Sequence, residues 1–228
     1  MSGFRFRDRV QAGEMLAGEL LAAGYGGGRG DVLVLALPRG GVPVGFAIAL
    51  ALGAPLDVVV VRKLGAPDQP EWAIGAIASG GARVLNPRAV QVLRLSSAEI
   101  DAIAARETAE LERRERAYRG GRPPAEVHGK TLILVDDGLA TGTTMRAAVG
   151  ALRERQPAAV VAAVPVGAPE TCRELRTHAD AVICPFTPEQ FFSVGEWYHD
   201  FSQTSDDEVR ALLHRAAAAA AQSREKPV

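Results

Sequence analysis

Five stretches of the chain are apolar at almost every position, and segments of helix length separate them. They are DVLVLALP (31–38), PLDVVVVRKL (55–64), KTLILVDD (130–137), AAVVAAVPVG (158–167) and DAVICPF (180–186). Strands that are buried on both faces have this composition, and they occur in parallel sheets covered by helices on each side. The pattern therefore predicts an α/β fold with a doubly wound parallel sheet of about five strands.

Helical spacing fills the intervals between these strands. The predicted helices cover residues 8–23, 42–52, 143–153 and 169–178. The first carries Val10, Met15, Leu16 and Leu20 along one side, and the third carries Met145, Val149 and Leu152 on one face. We expect these apolar sides to pack on the sheet.

Two segments fall outside this alternation. Residues 96–119 predict a long polar helix, because Ser96-x-x-Glu99 is a capping box and Glu–Arg pairs recur at i,i+4. We interpret it as a solvated helical insertion or flap within about 86–129, with a partner-binding helix as the alternative. After residue 186, aromatic residues concentrate at 191–201 and Ser205-x-x-Glu208 opens a last helix.

These segments predict a single domain over residues 1–228. Its core spans about 31–186, and a small hood is expected from the N-terminal segment together with about 187–215. No internal repeat or second-domain boundary is visible.

Composition and charge exclude several functional classes. The chain has 26 basic and 27 acidic residues and a net charge of -1, so it lacks the basic field that attracts nucleic acid. Two cysteines cannot form a disulfide framework, and no apolar run approaches the length of a membrane span. The N-terminus has no apolar signal region. We expect a soluble cytoplasmic protein with no membrane or nucleic-acid partner.

The stretch LILVDDGLATGTT (132–144) combines two features that bind different chemical groups. Free backbone N–H groups at the start of the helix near Thr143, with nearby Gly and Thr residues, suit a phosphate. Asp136 and Asp137 would repel a phosphate but can accept hydrogen bonds from sugar hydroxyls, directly or through a cation. A ribose 5-phosphate satisfies both demands. The alternative is an acidic strand end and a Thr N-cap without a ligand.

With these residues the stretch resembles the PRPP (phosphoribosyl pyrophosphate) motif of the type I phosphoribosyltransferases, and the resemblance covers about 31–186. It implies that Asp136 and Asp137 contact ribose hydroxyls. It also implies a cradle for the 5-phosphate, formed by Ala140, Thr141, Gly142, Thr143 and Thr144.

The PRGG turn after the first strand is similar to the pyrophosphate loop of that family. Arg39 offers fixed donors for an oxyanion. Gly40 and Gly41 would let backbone N–H groups face the same anion. Taken alone, PRGG is a weak signal, and a plain turn without a ligand is the alternative.

A third loop, over residues 62–81, looks like the mobile catalytic loop that closes over PRPP and excludes water. We expect Arg62 and Lys63 to stabilise the leaving pyrophosphate, although a solvated basic pair is the alternative. Glu71 is a candidate acid or base, with a solvated loop carboxylate as the alternative.

The acceptor is expected under the C-terminal aromatic residues. Stacking on Phe192, Trp197 or Tyr198 would suit a flat base, although aromatics at this spacing are commonly core. Cys172 and Cys184 are interpreted as buried apolar residues, and the histidines lack the spacing of a zinc site.

We interpret the chain as a glycosyltransferase that moves the 5-phosphoribosyl group from PRPP to an acceptor, a nucleobase, and releases pyrophosphate. Mg²⁺ carried by PRPP, near Asp136 and Asp137, is the expected ion, with no metal site made by protein side chains alone. A homodimer is an expectation from the family. Two alternatives remain: a PRPP- or nucleotide-sensing regulator without turnover, and a ribose-phosphate phosphorylase or hydrolase.

Overall fold

A computed structural model of the chain describes residues 4–26, 31–67, 69, 72–81 and 83–224. The strands are β1 (Val32–Ala36), β2 (Leu56–Val58), β3 (Val61–Gly65), β4 (Ala73–Ala78), β5 (Arg83–Leu85), β6 (Thr131–Val135), β7 (Ala159–Ala163) and β8 (Ala181–Ile183). The helices are α1 (Arg9–Ala22), α2 (Gly41–Leu52), α3 (Pro87–Val92), α4 (Ser97–Arg119), α5 (Thr143–Arg153), α6 (Pro169–Leu175) and α7 (Asp206–Arg224). A 3-10 turn covers Gly195–Trp197.

The main sheet has five parallel strands in the order β2-β1-β6-β7-β8, which confirms the predicted α/β class. Alternate residues of each strand enter two apolar cores: Ile133 and Val135 pack with α1, α2 and α7, whereas Leu132 and Leu134 pack with α5 and α6. The chain leaves β1 toward β2 and leaves β6 toward β7, in opposite directions. The carboxyl ends of β1 and β6 therefore form the switch point at which open α/β sheets bind ligands.

The first helix buries small residues rather than the whole predicted apolar side. Leu16 and Leu20 are buried, but Val10 and Met15 are exposed. A Cβ on Gly13 would lie 2.6 Å from the Val44 carbonyl oxygen, so α1 approaches α2 too closely for larger side chains. The contact face of α1 consists largely of small residues, so the spacing of large apolar residues does not identify it.

The segment predicted as a mobile loop is largely an antiparallel sheet, in the order β3-β4-β5. The single strand predicted over 55–64 is divided into β2 and β3. Val59 still donates to the Ala36 carbonyl oxygen of β1 (3.0 Å), but the next residue, Val60, bonds Ser79 after β4 instead. The chain thus changes sheets within two residues, because a local hairpin partner replaces the parallel neighbour.

The predicted polar helix is present as α4, and its capping box is formed by Ser96 and Glu99. Its thin apolar stripe is buried in the core that also contains residues of β3, β4 and α7; the stripe consists of Ile100, Ile103, Leu111 and Tyr118. At its end Arg119 is buried and donates to Asp57 Oδ1 of β2 at 2.8 Å. The helix is therefore packed against the domain along one side and solvated along the other.

The N-terminal segment pairs with the C-terminal aromatic segment. Phe6 N–H donates to the Trp197 carbonyl oxygen, and His199 N–H donates to the Phe6 carbonyl oxygen, both at 2.8 Å. Phe6 and Tyr198 are buried together with Val166 in a separate small core. This hood lies over the carboxyl end of β6, because the Tyr198 hydroxyl donates to the carbonyl oxygen of Asp137.

Candidate active site

The PRGG turn and the aspartate pair are in contact at the switch point. A Cβ on Gly40 would overlap Asp137 Oδ2, and a Cβ on Gly41 would lie 2.7 Å from the Val135 carbonyl oxygen. The Gly41 N–H donates to the Leu37 carbonyl oxygen at 3.1 Å, so it closes the turn instead of facing an anion as we expected. Close approach of the two loops is thus the physical reason for both glycines.

The two carboxylates have different partners. Asp136 Oδ1 accepts a hydrogen bond from the Asp137 N–H at 2.9 Å. Asp137 Oδ2 accepts one from Arg9 Nε at 2.8 Å, and the Arg9 guanidinium lies 4.0 Å from the ring centroid of Phe201. Arg9 also donates to the Ser202 carbonyl oxygen at 2.7 Å. Asp137 therefore joins β6 to the hood, while no cationic side chain in the described part of the chain pairs with Asp136.

Burial makes both carboxylates harder to ionise. It raises the pKa of Asp136 well above the usual carboxyl range, and the charge of Asp137 raises it further. Burial also raises the pKa of Asp137, although the bond from Arg9 opposes that shift. A hydroxyl donor or a cation placed beside Asp136 would favour its ionised form.

The loop after the aspartate pair is bonded to the segment that follows β7 and to α6. Leu139 N–H donates to the Val166 carbonyl oxygen, and Thr171 Oγ1 donates to the Ala140 carbonyl oxygen. Gly142 has a φ of 68°, which favours glycine, and it caps α5 without any side-chain bond to the first helical N–H groups.

Exposed hydroxyl groups surround this helix start. Thr141, Thr143 and Thr144 line the loop, and the Thr141 and Thr143 hydroxyl oxygens are 3.3 Å apart. The uncapped N–H groups of α5 and these hydroxyls can bind a phosphate. Ala140 and Gly142 contribute backbone to the same loop.

A cavity of about 310 Å³ opens beside this loop and the PRGG turn. Its polar lining comes from Arg39, Arg113, Arg114, Tyr118, Thr144 and Asp206. Leu37 and residues 59–61 form an apolar part of its wall. The cavity thus lies between the two sequence-predicted loops and α4.

Sequence reasoning missed Arg9, Arg113 and Arg114. The Glu–Arg spacing at i,i+4 marks Arg114 only as a partner of Glu110 on a helix surface, and it leaves Arg113 unmarked; in the structure both bond Glu110. Arg9 appears as an ordinary residue of the first helical turn. No local signal marks which arginine of a helix faces a cavity or a distant carboxylate.

The predicted catalytic basic pair lies on β3, and neither residue is among the described residues that line the cavity. Both Nε and an Nη of Arg62 donate to Glu107 Oε2 of α4, at 3.0 and 2.6 Å. Lys63 follows on the same strand and is exposed. Glu71 lies outside the described residues.

The three aromatic candidates for acceptor binding occupy different environments. Phe192 is 80% exposed, Trp197 is half-buried, and Tyr198 is buried at 3% exposure. The Tyr198 ring centroid lies 5.3 Å from that of Phe6, and its hydroxyl bonds Asp137, so Tyr198 packs the hood onto β6. Of the three, Phe192 has the most surface free for a flat ligand.

Within the described ranges, no group of three or more His, Cys, Asp or Glu side chains is arranged to hold a metal ion. None of the described helices is long and apolar enough to cross a membrane.

Residues 8–200 match the sequence model of a family described as "Phosphoribosyl transferase domain". Two curated Mycobacterium tuberculosis proteins, from different strains, are each 47% identical to this chain over 211 residues: "Putative phosphoribosyl transferase Rv0571c" and "Putative phosphoribosyl transferase MT0597". The alignments cover 92% of this chain but 47% of each relative. The chain therefore spans about half the length of the curated relatives it matches.

The fold is also similar to a solved structure, that of the protein TT1426 from Thermus thermophilus. The TM-score is 0.82 at 42% sequence identity, and the match covers 93% of this chain and 99% of the other.

Proposed function

Because the chain belongs to the phosphoribosyl transferase domain family, we propose that it transfers the 5-phosphoribosyl group from PRPP to a nitrogen of a nucleobase and releases pyrophosphate. The observation that carries the proposal is the contact between the PRGG turn and the aspartate pair, beside the loop 138–144. These three groups match the three parts of PRPP, which are a diphosphate, a ribose and a 5-phosphate.

The 5-phosphate is assigned to the start of α5. The candidate donors are the N–H groups of the first turn and the hydroxyls of Thr141, Thr143 and Thr144. The ribose is assigned to Asp136, because Asp137 is already paired with Arg9. This modifies the interpretation of the sequence, in which both carboxylates contact ribose hydroxyls.

In the proposed reaction the bond between C1′ and the diphosphate oxygen breaks, and its electron pair leaves with pyrophosphate. A lone pair of the acceptor nitrogen forms the new bond to C1′, and the proton of that nitrogen passes to water. Positive charge develops on the sugar ring and negative charge on the diphosphate. Asp136 lies on the sugar side and Arg39 on the diphosphate side, so preorganised charge is the main contribution of the protein.

The donor set fits a magnesium ion that is bound mainly by substrate oxygens. Asp136 is the carboxylate suited to approach such an ion, whereas Asp137 Oδ2 is occupied by Arg9. Mg²⁺ commonly uses one or two carboxylates together with phosphate oxygens and water. When bound, the ion would neutralise charge on the diphosphate.

Calorimetry with Mg-PRPP, followed by a screen of acceptors for pyrophosphate release, tests the proposal. The screen includes purines, pyrimidines, ammonia and small amines. We expect micromolar-range binding and release of pyrophosphate with at least one base. Failure to bind Mg-PRPP would overturn the assignment of the site. Binding without turnover would point to a sensor, and turnover of nucleotides or sugar phosphates without PRPP would point to a phosphorylase or hydrolase.

A further inference from the structure

The cavity beside the PRGG turn brings together three guanidinium groups from two separate parts of the chain. Arg39 comes from the turn after β1, while Arg113 and Arg114 are consecutive residues of α4. Thr144, in the first turn of α5, lines the same cavity. A ligand in this space would contact both the proposed phosphate loop and the long helix.

The charge around the cavity favours an anion, because three guanidinium groups of the lining face two carboxylates, Asp206 in the lining and Glu110 beside it. Asp206 is the carboxylate among the described lining residues, and it stands against three guanidinium groups. It accepts a hydrogen bond from the Tyr118 hydroxyl at 3.1 Å and lies 3.7 Å from Arg39 Nη1. Asp206 therefore pairs with Arg39, and its negative charge also acts on the Arg113 guanidinium.

Glu110, one turn earlier on α4, holds these two arginines in place. Arg113 donates to both of its carboxylate oxygens, at 2.7 and 3.0 Å, and Arg114 donates to Oε1 at 2.9 Å. The two arginines lower the pKa of Glu110 to about 2, so it remains ionised at neutral pH. One carboxylate shared by two guanidinium groups leaves several N–H donors of each for a second anion.

We propose that Arg113 and Arg114 of α4, together with Arg39, bind a diphosphate group in this cavity. A diphosphate has terminal oxygens on two phosphorus atoms, so it can accept from guanidinium groups on two sides of the cavity over a longer span than a single phosphate. The inference rests on the proposed function, in which the diphosphate is that of PRPP. It also transfers to α4 the role that the sequence suggested for Arg62, whose guanidinium is bonded to Glu107.

The test measures binding of inorganic pyrophosphate and, separately, of ribose 5-phosphate by calorimetry. Arg113→Gln, Arg114→Gln and the double variant remove the charges, and Arg113→Lys/Arg114→Lys keeps them. Arg116→Gln is the matched control, because Arg116 lies on the same helix and pairs with Glu112 at i,i+4 but is absent from the described lining. Arg113 and Arg114 are 66% and 44% exposed, so we expect every variant to keep the melting temperature of the wild type.

We expect the double Gln variant to weaken pyrophosphate binding by about tenfold or more, since each charged hydrogen bond contributes on that scale. Ribose 5-phosphate binding should be unchanged, the Lys variant should be intermediate, and Arg116→Gln should match the wild type. Orthophosphate should bind more weakly than pyrophosphate and respond less to the substitutions.

Two results would overturn the inference: no binding of pyrophosphate to the wild type, or equal binding to the wild type and the double variant. Failure of ribose 5-phosphate to bind the wild type would instead count against the proposed function. The two failures are therefore distinguishable, and neither measurement depends on knowing the acceptor.

Discussion

Arg9 Nε lies 2.8 Å from Asp137 Oδ2, so a residue of the first helix holds a carboxylate at the end of β6, 128 positions later in the chain. The two side chains are only 11% and 15% exposed. Because neither charge is well solvated, each depends on the other for its stability in the folded state. The pair also ties the hood to the loop that is proposed to bind ribose.

Replacing Arg9 should therefore destabilise the fold. We expect Arg9→Gln to lower the free energy of unfolding at neutral pH by about 3 kcal/mol, because it leaves a buried carboxylate without its cation. Urea denaturation measures the change. Arg7→Gln is the control, since Arg7 pairs with Asp8 at the surface and its loss should leave the free energy of unfolding nearly unchanged.

The pH dependence of stability tests the same ion pair independently. The pKa of Asp137 is raised in the folded state, so protonation favours folding, and this contribution is lost as pH rises through the raised pKa. Without Arg9 that pKa should rise further. The loss of unfolding free energy caused by Arg9→Gln should therefore become smaller as the pH falls below the pKa of Asp137. A loss of the same size at every pH would contradict the ion pair.

Ligand binding should report the titration of Asp136. Its pKa is raised by burial and by the charge of Asp137, and hydrogen bonds from ribose hydroxyls favour the ionised form. Affinity for ribose 5-phosphate should fall as the pH drops through the pKa of Asp136. Because that pKa is raised, the fall should occur at a higher pH than the ordinary Asp pKa of about 4.

Asp136→Asn separates this effect from titration of the phosphate itself. In the variant the ligand phosphate still titrates, but there is no carboxyl group at position 136 to titrate. The affinities of the wild type and the variant for ribose 5-phosphate should therefore converge at low pH, where Asp136 of the wild type is protonated. Parallel curves would exclude Asp136 from ribose binding. The single variant is preferable to a replacement of both aspartates, because loss of Asp137 also removes the partner of Arg9.

The contact between the two loops predicts that Gly41→Ala is destabilising. Its Cβ would meet the Val135 carbonyl oxygen and the Asp136 Cα, both backbone atoms that cannot move independently. We expect a loss of about 1–3 kcal/mol in unfolding free energy and weaker binding of ribose 5-phosphate.

Gly18→Ala is the matched control, because Gly18 lies in α1 and its Cβ would meet nothing within 4 Å. Alanine at such a helical position should be neutral or stabilising by up to about 1 kcal/mol. If Gly41→Ala behaves in the same way, the close approach of the loops is not required.

The end of α4 is held by the buried pair Arg119 and Asp57, which are 7% and 8% exposed. Arg119→Met should lower the unfolding free energy by about 3–5 kcal/mol, since Asp57 keeps its backbone bonds but loses its cation. Arg116→Met, on the exposed face of the same helix, should change it by about 0.5 kcal/mol or less. Adding Asp57→Asn to Arg119→Met should recover part of the lost unfolding free energy, because no unpaired charge then remains. If the second substitution instead lowers the stability as much again, the pairing is contradicted.

The parts of the protein that sequence alone could predict are those specified by short-range patterns. Continuous apolar runs identify strands buried on both faces, so each of the five predicted runs does contain a strand of the parallel sheet, although the run 55–64 also contains β3 of the antiparallel sheet. The capping box of Ser96 and Glu99 located the start of α4 for the same reason, since its partners are three residues apart. The stretch 132–144 likewise contains its strand, acidic pair and helix start within a short run of consecutive positions.

Tertiary structure alone decided which distant groups meet. The change of sheets after Val59 depends on the bond between Val60 and Ser79, which follows β4. The hydrophobic pattern of residues 55–64 contains no signal for that partner. The pairing of Arg9 with Asp137, and the position of Arg113 and Arg114 at the cavity, arise from the docking of whole helices. A charged residue on a helix has the same local signature whether it faces water or a ligand. Sequence therefore determined the elements of the parallel sheet and the chemistry available at its strand ends, because both are local patterns. Packing determined the antiparallel sheet and which charges act together at the site, because both depend on partners distant in the chain.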